Sequence, residues 1–208
     1  MIKLVACDMD GTLLDSQKRL PADFPQVMTA LKERGVCFAV ASGRQYANLK
    51  KLFFPVWEKL LFICENGALV KRGGEIVYLN PIPVSLVKDA LDAVRELYRI
   101  VTAAKNLRGV YPVVCRAEMA LIEKTASPEF VRNTCMYYPS VQVVDDLTEY
   151  CNLGDVCKVA FYDEYDAQTH ELPELQSKLE PELSIILSGE HWVDVMKPGV
   201  TKGGAMRG

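Results

Sequence analysis

Histidine is nearly absent from these 208 residues, which hold only His170 and His191, and the seven cysteines include no CxxC pair. Zinc centres are built from such residues at short fixed spacings, so none is expected. Cys7, Cys37, Cys64, Cys115, Cys135, Cys151 and Cys157 form an odd set. The first three sit inside apolar runs, and the set reads as reduced small hydrophobes rather than a disulfide framework. Long runs of one charge sign are missing too: 24 Lys and Arg are interspersed with 27 Asp and Glu, for a net charge of -3. That lacks the electrostatic footprint of a nucleic-acid binder, so nucleic acid is not an expected partner and phosphate recognition should be local. No apolar segment has membrane-spanning length, and the opening residues are strand-like rather than a basic segment, apolar core and cleavage site. Neither a membrane partner nor a leader is expected, which favours a cytoplasmic location. Repeats and low-complexity linkers are also lacking. What remains, 50% hydrophobic and 25% charged residues, can bury a large core in one large domain or two small ones.

The apolar residues are arranged in recognisable units. Ile2 to Cys7 is an apolar run without polar alternation, as expected of a parallel strand covered on both faces. Pro21 to Arg34 carries Val27, Met28 and Leu31 at helical spacing before Gly35, where a helix commonly stops. Val36 to Ala41 is a second apolar run, ending in Ser42-Gly43-Arg44. Gln45 to Phe54 reads as a helix, and after Pro55 a third run, Leu60 to Cys64, ends in Glu65-Asn66-Gly67. This order predicts a parallel sheet with right-handed crossovers, and a crevice where the carboxyl ends of its strands meet.

From about Pro81 the pattern changes. Val84 to Tyr98 is an amphipathic helix. Val110 to Cys115, Ala120 to Glu123, Val141 to Val144, Val156 to Tyr162 and Ser184 to Leu187 are strand-like, and Glu171 to Leu179 is helical. The mixture predicts an α+β insertion with an antiparallel sheet. Trp192 to Met196 then reads as a strand, Lys197-Pro198-Gly199 as a turn and Thr201 onward as the start of a helix. The expected fold class is α/β, with residues 1–81 and 188–208 forming a Rossmann-like core around an inserted α+β unit at 82–187. Tyr162-Asp163-Glu164-Tyr165-Asp166 reads as a solvated turn, Tyr137-Tyr138 as packing residues, and His191 and Trp192 as neighbours of the return to the core.

Asp8 and Asp10 are two apart, so in a continued strand their side chains share a face. Two carboxylates there repel unless a divalent cation or a proton compensates. Magnesium takes oxygen ligands, and a carboxylate held against a phosphate can act as nucleophile while its neighbour moves a proton. Gly11 permits a tight exit from the strand, and Thr12 can hydrogen-bond the turn or a carboxylate. Ser42, Gly43 and Arg44 offer a hydroxyl, unhindered amides and a guanidinium, all suited to phosphate oxygens. Lys202 can place an ammonium among these charges, although its loop lacks the spacing of a Walker motif. Singly, each piece has a plainer reading as a turn, a helix cap or an exposed lysine.

Taken in order, DMDGTLLD, ASGR, ENGA, a large insertion and WVDVMKPGVTKGGA resemble the haloacid dehalogenase superfamily along the whole chain. More closely, they resemble its Cof-type phosphatases, which insert a large cap after the third strand. The resemblance implies a Mg2+-dependent phosphomonoester hydrolase acting on a small phosphorylated metabolite, such as a sugar phosphate, through an aspartyl-phosphate. Asp8 would attack phosphorus, and Asp10 would protonate the leaving alcohol and later activate water. The Asp8 carboxylate and the Asp10 backbone carbonyl would bind Mg2+. Thr12, Ser42 and Lys202 would hold the phosphoryl group, with Gly43, Arg44 and Asn66 beside the substrate and the cap closing over the leaving group. Relatives carry a further acidic motif, GDxxND, downstream of the lysine, and these 208 residues do not contain it. The resemblance therefore also implies a core short of two strands, a first strand left at an edge where chains can self-associate, and weakened catalysis. A non-catalytic binder of phosphorylated ligands or of a partner, and a phosphomutase, remain open as alternatives.

Overall fold

The computed structural model describes residues 2–54, 56–105, 109–164, 166–169 and 171–207. Pro55, Tyr165 and His170 lie outside the described residues. The chain divides into two compact units, Met1–Leu79 with Thr201–Gly208, and Asn80–Val200.

The first unit is built on a five-stranded sheet in the order β1 (Leu4–Asp8), β2 (Cys37–Ala41), β3 (Leu61–Cys64), β4 (Leu69–Arg72), β5 (Glu75–Leu79). The first three strands are parallel, as their order with α1 (Phe24–Glu33) and α2 (Tyr46–Leu52) predicts. The last two run antiparallel as a hairpin, unforeseen from the sequence although Gly73-Gly74, both at positive φ, is a strong turn signal. Large aromatics fix the helices to one face. Phe24 meets Phe38 and Phe53 at 5.6 and 5.5 Å, and Phe62 meets Phe53 and Tyr46 at 5.8 and 5.5 Å. Ala39, Ala41, Ile63 and Val70 line the opposite face, where Ala205 of the helical turn Lys202–Ala205 packs.

β1 departs from expectation in one respect. Among the described residues it pairs with β2 alone, at the edge of the sheet that the resemblance implies, but its residues are not covered on both faces: Leu4 is 38% exposed and the preceding Ile2 68%. An apolar run marks a strand, but the number of layers covering it is set by elements far away in the chain.

The second unit contains a six-stranded sheet whose strands, in chain order, are β6 (Val110–Arg116), β7 (Ala120–Glu123), β8 (Val141–Val144), β9 (Val156–Asp163), β10 (Ser184–Gly189) and β11 (Trp192–Met196). Their order in space is β10-β11-β9-β6-β7-β8. Every pairing is antiparallel except β7 with β8. Helices α3 (Val84–Lys105) and α5 (Glu171–Leu179) cover one face through Val87, Leu91, Val94 and Leu175 against Val159, Phe161, Val193 and Val195. Helix α4 (Pro128–Tyr137) covers the other face, where Phe130 stacks on Tyr111 at 4.8 Å. This helix was not read from the sequence, although Ser127 caps it by accepting the Phe130 amide at 3.1 Å and Pro128 opens it.

The sequence pattern puts the return to the core at residue 188. β11 lies between β9 and β10, so residues 188–200 belong to the second unit and only Thr201 onward to the first. A β-hairpin joins β10 to β11 through Glu190 and His191, and such local pairing outranks a longer crossing. Trp192 accordingly packs on Tyr162 at 5.0 Å, within the second unit. Asp194 faces Lys158 at 3.2 Å in the same sheet, both side chains only 4% exposed.

Candidate active site

In the first unit the register puts Asp8 beside Ala41 and Ala41 beside Ile63. The residues that follow, Asp8 to Asp10, Ser42 to Arg44 and Glu65 to Gly67, are therefore delivered to one edge of the sheet. Buried Met9 and Leu14 anchor the first loop. Its backbone closes on itself, with the Leu13 amide donating to the carbonyls of Asp8 and Met9, and Leu14 to Met9 at 2.9 Å. Gly11 sits at φ +75, a conformation that favours glycine, and this lets the chain reverse there.

The ENG turn is held just as closely. The Ser42 amide donates to the Ile63 carbonyl at 2.9 Å, and the Asn66 amide to the Ser42 carbonyl at 3.1 Å. Ser42 is buried, and its hydroxyl accepts the Arg44 amide at 3.2 Å. A Cβ on Gly43 would come within 2.5 Å of Asn66 Oδ1, so the Asn66 side chain occupies the space that glycine leaves. Gly67, at φ +107, lies against the Thr201 carbonyl and within 2.9 Å of the Lys202 amide as measured from an added Cβ. That contact seats the turn bearing Lys202, whose first residue, Thr201, caps it by accepting the Gly204 amide at 2.9 Å.

From this seat the Lys202 Nζ reaches Asp8 Oδ1 at 2.5 Å, with side chains 39% and 42% exposed. The Asp10 carboxylate takes two cations on one oxygen: Lys18 Nζ at 2.7 Å and Arg44 Nη2 at 2.9 Å donate to Oδ1. Partial burial opposes ionisation of Asp10, but the Lys18 hydrogen bond and the charges of Arg44 and Lys18 outweigh it and hold the carboxyl below its usual range. Arg44 also reaches Asn48 at 3.4 Å. Thr12 is exposed, and its amide turns back to Met9 at 3.4 Å.

All the sequence-predicted residues thus stand on the loops of one unit. Asp8 meets Lys202, Asp10 meets Arg44, and Ser42 and Gly43 meet Asn66. Sequence reasoning passed over Lys18 and the last aspartate of DMDGTLLD, Asp15. The signal was present in Asp15-x-Gln17, since a short acidic side chain readily bonds the backbone two residues on. It also passed over Glu65, which is buried at the start of its turn with φ +48.

Comparison with known proteins adds kinship to this geometry. A family profile described as haloacid dehalogenase-like hydrolase matches residues 5–208. The 5-amino-6-(5-phospho-D-ribitylamino)uracil phosphatase YbjI of Escherichia coli is 30% identical over 99% of this chain and 72% of its own length. A crystal structure from Eubacterium rectale superposes with a TM-score of 0.83 at 26% identity, covering 99% of this chain and 74% of that one. The subclass IIB sugar phosphatase BT4131 shares the fold, with a TM-score of 0.71 at 20% identity over 99% of this chain and 74% of that one.

Proposed function

Because this chain belongs to the haloacid dehalogenase-like hydrolase family and is a phosphatase by that kinship, we propose that it hydrolyses the phosphate monoester of a small phosphorylated metabolite, a sugar phosphate first among them. The observation that carries the reading is the Asp8–Lys202 contact of 2.5 Å between residues 194 apart in sequence, formed at the strand end where Arg44 engages Asp10. Paired carboxylates surrounded by cations suit an incoming dianion better than they suit a stabilising surface network.

In this mechanism an Asp8 carboxylate oxygen bonds to phosphorus as the bond from phosphorus to the ester oxygen breaks, leaving an aspartyl-phosphate. Asp10 supplies the proton that the departing alkoxide needs. Water then attacks phosphorus, Asp10 accepts its proton, the bond to Asp8 breaks and inorganic phosphate leaves. Lys202 holds Asp8 in position and meets the charge that develops on the phosphoryl oxygens, while Ser42 and Thr12 contribute hydroxyls. The two cations lower the Asp10 pKa, so it takes up a proton more readily once Arg44 turns to the substrate. Substrate binding and acid function are thereby linked through Arg44.

Haloacid dehalogenase phosphatases generally use Mg2+. Among the described residues no group of three or more His, Cys, Asp or Glu forms an all-protein metal cage. The donors at the end of β1, the Asp8 carboxylate and the Asp10 carbonyl, are both oxygen. They fit a cation that binds one or two protein oxygens and completes its shell with water and substrate. Bound there, Mg2+ would neutralise phosphoryl charge.

The test is release of inorganic phosphate from sugar phosphates and a generic aryl phosphate, with and without Mg2+. Turnover by the parent chain should fall by about a thousandfold or more in Asp8→Asn. Undiminished turnover in that variant would sink the mechanism.

A further inference from the structure

We propose that Lys18 is a second cationic arm of the phosphate site, carried to Asp10 by a loop that Asp15 builds, and that it grips the phosphate dianion alongside Arg44 when a substrate arrives. The inference rests on the phosphatase reading above and adds a substrate-binding residue to it.

The loop is organised around one carboxylate. Asp15 Oδ1 accepts the amides of Gln17 and Arg19 at 2.8 and 2.9 Å, and Oδ2 accepts Arg19 Nε at 2.9 Å. Its backbone joins in: the Asp15 amide donates to the Arg19 carbonyl at 3.1 Å, and the Lys18 amide to the Asp15 carbonyl at 2.9 Å. Buried Leu14, bridged to Asp10, ties this turn to the end of β1. The result forces Lys18 to φ +60, a left-handed conformation that side-chain-bearing residues other than Asn and Asp adopt at a cost.

That cost is not recovered as stability. The Lys18 side chain is 61% exposed and its partner Asp10 45%, and ion pairs so open to water contribute little. Strain held without a stabilising return is a mark of functional positions. Charge accounting points the same way. Asp10 already has Arg44, and Asp8 has Lys202, so without Lys18 the two carboxylates are matched by two cations. Lys18 supplies the surplus positive charge that an arriving dianion can use. An ammonium has three N–H donors, so it can keep Asp10 and take a phosphate oxygen together.

The experiment titrates the full 208-residue chain with inorganic phosphate by calorimetry at two ionic strengths, comparing Lys18→Gln, Lys18→Arg, Lys202→Ala and a remote control, Lys178→Gln. Lys18→Gln should bind phosphate about fivefold more weakly, with a flatter salt dependence and an unchanged melting temperature, and Lys18→Arg should stay within about twofold of the parent. Lys178→Gln should match the parent. If Lys18→Gln binds like the parent while Lys202→Ala loses affinity, the proposal falls and the phosphatase reading stands. A lowered melting temperature in Lys18→Gln that Lys18→Arg fails to restore assigns Lys18 a structural role and also overturns it. If the parent binds no phosphate, or Lys202→Ala leaves binding intact, the phosphate site itself is misassigned and the proposal goes with it.

Discussion

Asp146 shows how one side chain in this protein gains charge-dependent stability away from the candidate site. Its carboxylate accepts the Thr148 amide at 2.9 Å and an Arg95 N–H at 2.7 Å. The Thr148 backbone hydrogen bond, then Arg95, lower its pKa from the usual 3.8 to about 2. A carboxyl with a depressed folded-state pKa contributes stability that is fully present above its unfolded value and is lost as pH falls through the folded one. The contribution should therefore hold above about pH 4 and vanish near pH 2. Solvent screening keeps it small, because the side chain is 45% exposed. In a Trp57→Phe background, Trp192 fluorescence reports unfolding of the second unit. The stability difference between that protein and its Asp146→Asn derivative should shrink as pH falls across this window. A difference that is flat with pH would show that the hydrogen bonds carry no charge-dependent share.

At the scale of elements, the site depends on two turns pressed backbone to backbone. Gly67 abuts the Thr201 carbonyl and the Lys202 amide, so Gly67→Ala must either push the Lys202 turn away or distort the ENG turn. Ala at φ +107 is strained in any case. We expect a loss of about 2 kcal/mol or more in unfolding free energy. Phosphate affinity should fall further than the affinity of Gly35→Ala, a positive-φ change with nothing within 4 Å of the added carbon. Equal phosphate affinity in the two variants would show that this contact does not place Lys202. The elements themselves were unevenly legible. β2, β3 and α5 could be read because apolar runs and helical spacing are properties of single segments. The loop residues Asp8, Ser42 and Lys202 could be read because their motifs follow such segments in order. Lys18 was passed over because its position arises from hydrogen bonds to Asp15, which the Asp15-x-Gln17 turn pattern signals but no periodicity records. α4, opened by Ser127-Pro128, and the β4–β5 hairpin, turned at Gly73-Gly74, were passed over although each carries a local signal.

At the scale of the molecule, long-range pairing decides which sheet a strand joins. Trp192–Met196 was readable as a strand, yet nothing within five residues says which sheet will accept it. Pairing with β9 and β10 decides that, and pairing is a property of the whole unit. β1 has β2 as its neighbour on one side and, among the described residues, ends the first sheet on the other. An edge strand presents unpaired N–H and C=O groups, and natural edges are usually blunted by charge, proline or a covering element. Here Ile2 and Leu4 are exposed instead, with Lys3 as the nearby charge. This polypeptide should therefore self-associate through β1 as its concentration rises, and Leu4→Lys, which puts a charge on the strand itself, should weaken that association without unfolding the first unit. Sedimentation velocity across a concentration series is the direct measurement. The parent should shift toward larger species at high concentration and Leu4→Lys should remain monomeric. If the parent stays monomeric throughout, or both proteins associate equally, β1 is not the contact. Because Asp8 terminates this strand, any chain that docks along β1 also sits next to the Asp8–Lys202 pair, so phosphate binding measured in the same series should change with association in the parent and stay constant in Leu4→Lys.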